Sequence, residues 1–436
     1  MADSALSNDA GIPSNVLVSD APEALQAPTK SVGVVFQVLF LLANVAVWMA
    51  KFPFTGLILL NQIIGFEPDA VVQNTDLAII VGVGSFFGLV ANPIAGALSD
   101  RTTASWGRRR PWLVGGVIIS SAILVLLAQA TSFTMLLVGW TLYQIANNVV
   151  LAAVIAVVPD QVPRRQRASI SAYIGLGFPL GLILGSTLLV KKILHSQIQP
   201  SYYVIAAIFL VVIVLLAVTL PDKQLPKSAK PAFNLGRFLK SFWISPVKYP
   251  DFGWAWITRF CIIIPSAAVT VFLVGYFQSA LGDSHDAAET HYTTFSTIYG
   301  IILIVCALLS GFISDRIQRR KVFVMAAGFV VAISMVLLAF FHTWGAATIA
   351  AALFGFGFGI YLAVDYALLT EVLPSQSDRG KDMGVFNIAN SLPQVIVPII
   401  AAVSVIASQS YTILFVIVAV AGVLSGALIK PIKSVR

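Results

Sequence analysis

Long apolar runs punctuate this chain, and they constrain its fold more than any other feature. Ile301–Ile313, Val322–Phe341 and Tyr411–Ile429 contain no charged residue. The longer two approach the ~20 residues that a helix needs to cross a bilayer. Lipid offers no partner to an open backbone, so such runs must be helical; a barrel strand would alternate over about ten residues. Composition agrees, because 58% of the 436 residues are hydrophobic and 11% charged, where soluble domains carry about a quarter. A soluble fold is excluded.

Twelve spans are predicted, at 33–60, 77–98, 111–130, 133–157, 168–190 and 201–220, then at 252–280, 292–314, 321–341, 346–370, 382–405 and 409–430. The expected fold is an all-α membrane protein of twelve transmembrane helices, two six-helix pseudo-repeats around a central cavity. Residues 221–251, with six Lys or Arg and five Pro, separate the halves. The organisation expected is a disordered tail over 1–31, bundles over 32–220 and 252–430 joined by the linker 221–251, and a short tail over 431–436. The first thirty residues lack the basic start and apolar core of a leader peptide. Cys261 and Cys306 fall inside spans and read as small packing residues, not as a disulfide or metal framework.

Basic residues set the orientation. With both termini in the cytoplasm, inner segments hold 23 of the 27 Lys and Arg, outer loops hold Lys191 and Lys192, and Lys51 and Arg259 lie within spans. Outer segments carry Glu67, Asp69, Asp76, Asp283, Asp286, Glu289 and all four histidines. The net charge of +8 therefore reports topology and no nucleic-acid partner. The expected location is the cell membrane, as a multi-pass monomer whose partners are the lipid bilayer and a small-molecule substrate.

The halves echo one another. Gly96-Ala-Leu-Ser-Asp100-Arg101 follows span two, and Gly311-Phe-Ile-Ser-Asp315-Arg316 follows span eight, 215 residues later. Asp160-Gln-Val-Pro163 matches Glu371-Val-Leu-Pro374 at an offset of 211, and Pro179 matches Pro393 at 214. Repeats of this kind build transporters that bind substrate at the midplane and rock one half against the other. A further echo, Trp48-x-x-Lys51-Phe52 against Trp256-x-x-Arg259-Phe260, sits out of register at 208 and reads as coincidence.

The run from Gly96 through Asp100, Arg101 and Trp106 to Gly107, Arg108, Arg109 and Arg110 resembles the signature loop of the major facilitator superfamily, G-x-x-x-D-R-x-x-x-x-x-G-R-R-R/K. Its extension to Pro111-Trp112 is similar to the sucrose and glycoside–cation symporters, and Glu371-Val-Leu-Pro with Asp378-Arg-Gly-Lys381-Asp-Met-Gly384 resembles related bacterial members. The resemblance implies that Asp100 braces the start of span eleven near Asp382–Gly384 and that Arg101 pairs with Asp160. It likewise implies pairing of Asp315 with the start of span five near Ser169, and of Arg316 with Glu371. Such contacts would form a conformational latch, closed only in an outward-facing state; the alternative is charge that merely sets topology.

Three charges sit within spans, and ionisable groups at membrane depth are functional candidates. Asp365 is the candidate coupling carboxylate, Arg259 its partner or a substrate anchor, and Lys51 a cavity cation suited to an anionic substrate. Snorkelling of Arg259 and a structural ion pair at Asp365 are the competing readings. Gln144, Asn147 and Asn148 offer hydrogen bonds, and Trp48, Tyr143, Trp256, Tyr361 and Tyr366 offer faces for a sugar ring. Glycines at 355, 357 and 359, and at 175, 177, 181 and 185, permit close helix approach.

The expected function is proton-coupled uptake of a sugar, glycoside or sugar acid by alternating access, with H+ as coupling ion and no other cofactor. One alternative is a proton-antiport exporter, although Gly175-Leu-Gly-Phe-Pro179-Leu-Gly181 places Phe178 where the exporters' span-five motif has glycine. Another is a non-transporting nutrient sensor with a transporter fold. Enzymatic motifs such as a P-loop, HExxH or nucleophile elbow are absent.

Overall fold

The structure is a computed structural model and describes residues 28–230, 236, 246–317, 320–372, 379–408 and 410–432. Among the described residues the framework is twelve helices: α1 Val34–Ile64, α2 Ala70–Asp100, α3 Arg110–Leu127, α4 Phe133–Gln161, α5 Arg167–Leu182 continued by a wider turn over Ile183–Ile193, α6 Ile198–Thr219, α7 Pro250–Ala280, α8 His285–Ile317, α9 Arg320–Phe340, α10 Trp344–Val372, α11 Arg379–Ser408 and α12 Thr412–Leu428. Among the described residues, ten helical segments are long and apolar enough to cross a membrane, and the apolar parts of α11 and α12 are shorter.

Several helices outrun their apolar cores. The Asp69 carboxylate accepts from the N–H groups of Val71 and Val72 at 2.8 and 3.0 Å, so α2 begins at Ala70, seven residues before the predicted span. Likewise α8 starts at His285, ahead of residue 292, because hydropathy registers lipid contact and not helix termini.

Packing repeats with a period of six helices. Within the first half α1 packs on α5 and α6, α2 on α4, and α3 on α4 and α6; within the second, α7 packs on α11 and α12, α8 on α10, and α9 on α10 and α12. Across the halves α2 lies along α11 and α5 along α8, which the same shift exchanges. Small residues allow this closeness. A Cβ on Gly181 would come within 2.6 Å of the Trp48 Cβ, and one on Gly359 within 2.6 Å of the Leu303 carbonyl oxygen.

The first helix is broken. Pro53 has no N–H to give the preceding turn, the chain makes a turn at Ala50–Lys51, and Phe54–Ile58 winds as a π-helix. A backbone carbonyl left unpaired at membrane depth is costly. The buried Tyr143 hydroxyl of α4 donates to the Ala50 carbonyl and relieves that cost.

Candidate functional site

One end of the molecule bears the loop after α2, with Arg108–Arg110, and the linker from Leu220; this is the basic end. The other carries Glu67, Asp283 and Asp286 and is the acidic end. Between mid-membrane and the basic end the halves enclose a cavity of about 210 Å³. Its walls come from α1, α2, α4 and α5 on one side and α7, α10 and α11 on the other. The break in α1 sets Lys51 into this space, and discontinuous helices are where transporters of this kind present binding groups.

Two cations reach α11 from opposite halves. The Lys51 ammonium donates to the Gln394 amide oxygen, and it sits 5.8 Å from the Trp48 ring centroid. Arg259 Nε donates to Asn390 Oδ1 at 2.7 Å, one helical turn from Gln394. Arg259 is also ion-paired with Asp365, whose other oxygen accepts from the Tyr361 hydroxyl at 2.5 Å. The pair is buried, with Arg259 4% and Asp365 2% exposed, so snorkelling does not describe Arg259. Arg259 lines the cavity while Asp365 stands behind it.

The two Trp-x-x-cation-Phe segments, read from sequence as coincidence, share local geometry. Trp48 stacks on Phe52 at 5.3 Å and Trp256 on Phe260 at 5.6 Å. They are not symmetry mates: Lys51 lies 17 residues past Val34 and Arg259 nine past Pro250, so the two cations enter at different depths.

Phe178 packs edge-on against Trp48 and Phe52, with centroids 5.7 and 4.9 Å apart, and completes an aromatic wall. Asn148 lines the cavity, whereas Gln144 and Asn147 are buried between helices. Tyr143 is spent on the Ala50 carbonyl, Tyr361 on Asp365, and Trp256 Nε1 on the Val385 carbonyl at 3.0 Å. Of the aromatic candidates, Trp48 alone lines the cavity among the described side chains; that of Tyr366 lies outside them. Sequence reasoning missed Phe178, Asn390 and Gln394 as lining residues. The amide pair four apart on span eleven was the available signal.

At the basic end the signature loop forms a cage within the first half. Arg108 pairs with Asp160 at 2.5 Å, and Arg109 bridges Asp160 at 2.6 Å, Asp100 at 2.5 Å and the Ser99 hydroxyl. The expected Arg101–Asp160 pair is thus replaced: the guanidiniums that start α3 reach the end of α4, and both Asp160 oxygens are taken. Asp222, from the linker, accepts from the N–H groups of Arg109 and Arg110 at 2.6 and 2.9 Å, capping α3. Gly107 makes room for it, with φ +126° and space that a Cβ would fill to within 2.3 Å of the Asp222 carboxylate. Arg110 reaches the Leu220 carbonyl. A Cβ on Gly96 would meet no described atom within 4 Å. The side chains of Asp315, Arg316, Glu371 and Asp382–Gly384 lie outside the described residues, and with them the second copy and the brace expected for Asp100.

The acidic end is tied across the halves. Glu289 of α8 is 3% exposed; it receives Lys191 at 2.8 Å and Ser196 at 2.6 Å on one oxygen and Asn61 at 2.7 Å on the other. Lys191 also reaches Asp286 at 2.6 Å, and Tyr411 donates to Asn74 at 2.5 Å. In sequence Lys191 reads only as an outer-loop cation; the structure gives it two carboxylate partners.

Comparison with known proteins agrees with this architecture. A family model described as Major Facilitator Superfamily matches residues 38–288 and 256–434. The sucrose transport protein SUC4 of Arabidopsis thaliana is 23% identical over 72% of this chain and 74% of its own. The general alpha-glucoside permease of Schizosaccharomyces pombe is 30% identical over 25% of this chain and 23% of its own. An uncharacterised symporter of Synechocystis is 49% identical over 39 residues, 7% of its length. Matches to some curated relatives thus span less than a quarter of those proteins. A solved structure of a mutant nucleoside transporter NupG aligns with TM-score 0.68 and 16% identity, covering 91% of this chain and all of that one. That likeness establishes the fold. Matched over both halves and built as two six-helix repeats around a cavity, the chain belongs to the major facilitator superfamily of membrane transporters.

Proposed function

We propose that the protein takes up a sugar, glycoside or sugar acid together with a proton, by alternating access. The observation that carries this reading is the buried Arg259–Asp365 pair, with Arg259 on the cavity wall and Asp365 one layer behind it. In this reading the acidic end faces outside, the termini are cytoplasmic, and the basic end is the exit. A proton on Asp365 releases Arg259, which keeps its bond to Asn390 and turns the freed donors to the substrate; loss of the proton on the inside restores the pair and expels the solute. Support for a saccharide comes from the aromatic wall, the amides that ring it, and the sucrose and glucoside proteins among the relatives. In the same reading Asp100 serves as the latch, leaving Arg109 for the α11 start when the basic end closes, while the rest of the cage holds the first half together.

The test is uptake into proteoliposomes with an internal pH dye, against monosaccharides, disaccharides and sugar acids. One panel member acidifies the lumen, and Asp365→Asn abolishes uphill uptake by about a hundredfold or more while sparing exchange of labelled for unlabelled solute. Proton movement with lipophilic cations alone would assign the protein to the exporters instead.

A further inference from the structure

We infer that Lys51 and Gln394 form a carboxylate-binding subsite, so that the preferred solute is an acidic sugar, with its carboxylate at the break in α1 and its ring against Trp48, Phe52 and Phe178. The inference rests on the saccharide reading above and narrows it.

Charge balance around the cavity leads to it. Two cations line the space, Lys51 and Arg259. Arg259 has its counter-charge in Asp365. Among the described residues no carboxylate lies within ion-pair distance of Lys51; what meets its ammonium is the neutral amide oxygen of Gln394. The Trp48 ring adds a weak attraction at 5.8 Å. An ammonium has three donors, so the amide leaves two unused, and the Gln394 N–H groups remain beside them. A cation at membrane depth needs a partner, and water in the cavity is the partner that a solute displaces. A carboxylate accepts from an ammonium and an amide N–H together, which a hydroxyl cannot match in strength.

The rest of the wall argues for a sugar acid over a simple anion. Phe52 and Phe178 meet edge-on at 4.9 Å and present apolar ring surface beside the cation. Asn148 and Asn390 supply amides for hydroxyl groups farther along the same space. At about 210 Å³ the cavity suits one sugar ring better than two, since drug-sized pockets begin near ~300 Å³.

The experiment uses the full chain in nanodiscs and reads ligand binding by intrinsic tryptophan fluorescence and by thermal shift. Probes are methyl β-glucuronide and methyl β-glucoside, with the galacto pair alongside; within each pair the partners differ only by carboxylate for hydroxymethyl. One uronide binds at least about tenfold more tightly than its neutral partner, as one charge-assisted hydrogen bond requires. Lys51→Gln brings the uronide-to-glycoside affinity ratio down to about one, while Lys51→Arg retains the preference. The wild-type ratio needs no variant to fold. Equal or tighter binding of the neutral glycosides would overturn the inference and leave the saccharide reading standing. If no saccharide binds but lactate or citrate does, and Lys51→Gln abolishes it, the anion subsite stands and the saccharide reading falls. Silence from all of these probes overturns both.

Discussion

The two ends of the molecule satisfy their charges in opposite ways. At the basic end Arg108 and Arg109 close onto Asp100 and Asp160 without leaving the first half. At the acidic end Glu289 of the second half is held by Lys191, Ser196 and Asn61 of the first. The first kind of contact is indifferent to whether the halves part; the second is broken by it. Separation at the basic end leaves no described charge orphaned, whereas separation at the acidic end strips a buried carboxylate of its donors. For the charges described, that asymmetry makes parting of the halves cheaper at the basic end than at the acidic end.

The comparison breaks most visibly at Asp160. Asp160→Asn leaves Arg108 and Arg109, both nearly buried, short of their carboxylate, and removing one partner from a buried pair costs about 3–5 kcal/mol. Thermal unfolding in detergent should fall sharply with no change in which end is open; an unaltered midpoint would remove the cage from the account. A smaller effect is expected from Lys191→Met, which unties the acidic end. Loss of a charge-assisted contact of about 1.5–3 kcal/mol shifts the inward-to-outward population about tenfold or more. Spin-label distances across the acidic end would report it, and an unchanged distribution would show the contact to be idle. The smallest effect on stability belongs to Asp100→Asn. Its side chain is 56% exposed, so folding should change by no more than about 1 kcal/mol. Turnover should nonetheless drop severalfold if Asp100 serves the latch, and full activity would reduce it to a topology signal.

Much of this was legible in sequence, for physical reasons. A helix in lipid cannot hide its hydropathy, so the spans, the halves and the rare charges Lys51, Arg259 and Asp365 stand out, and the last two meet as expected. Uncharged partners do not announce themselves. Asn390 and Gln394 look no different from Gln62, which bonds the Leu127 carbonyl and Tyr202 in the core of the first half. At the signature loop the expected Arg101–Asp160 pairing gives way to Arg108 and Arg109, because clustered cations compete for one carboxylate and only the path of the turn decides. The tie between Lys191 and Glu289 spans 98 residues and joins two apparent loop charges.

The break in α1 also bears on how the chain is made. The insertion machinery meets α1 early, with an ammonium near its middle that costs about 2.5–3.5 kcal/mol on insertion scales. Gln394, the amide that will receive it, is 343 residues away in the chain and has not yet been synthesised. Until then Lys51 must snorkel or keep water beside it, and α1 holds its place through α2 and its other early neighbours. The first helix therefore reaches its final form only after the eleventh has entered the membrane, so a ribosome stalled before Gln394 displays a bundle with its central cation still wet.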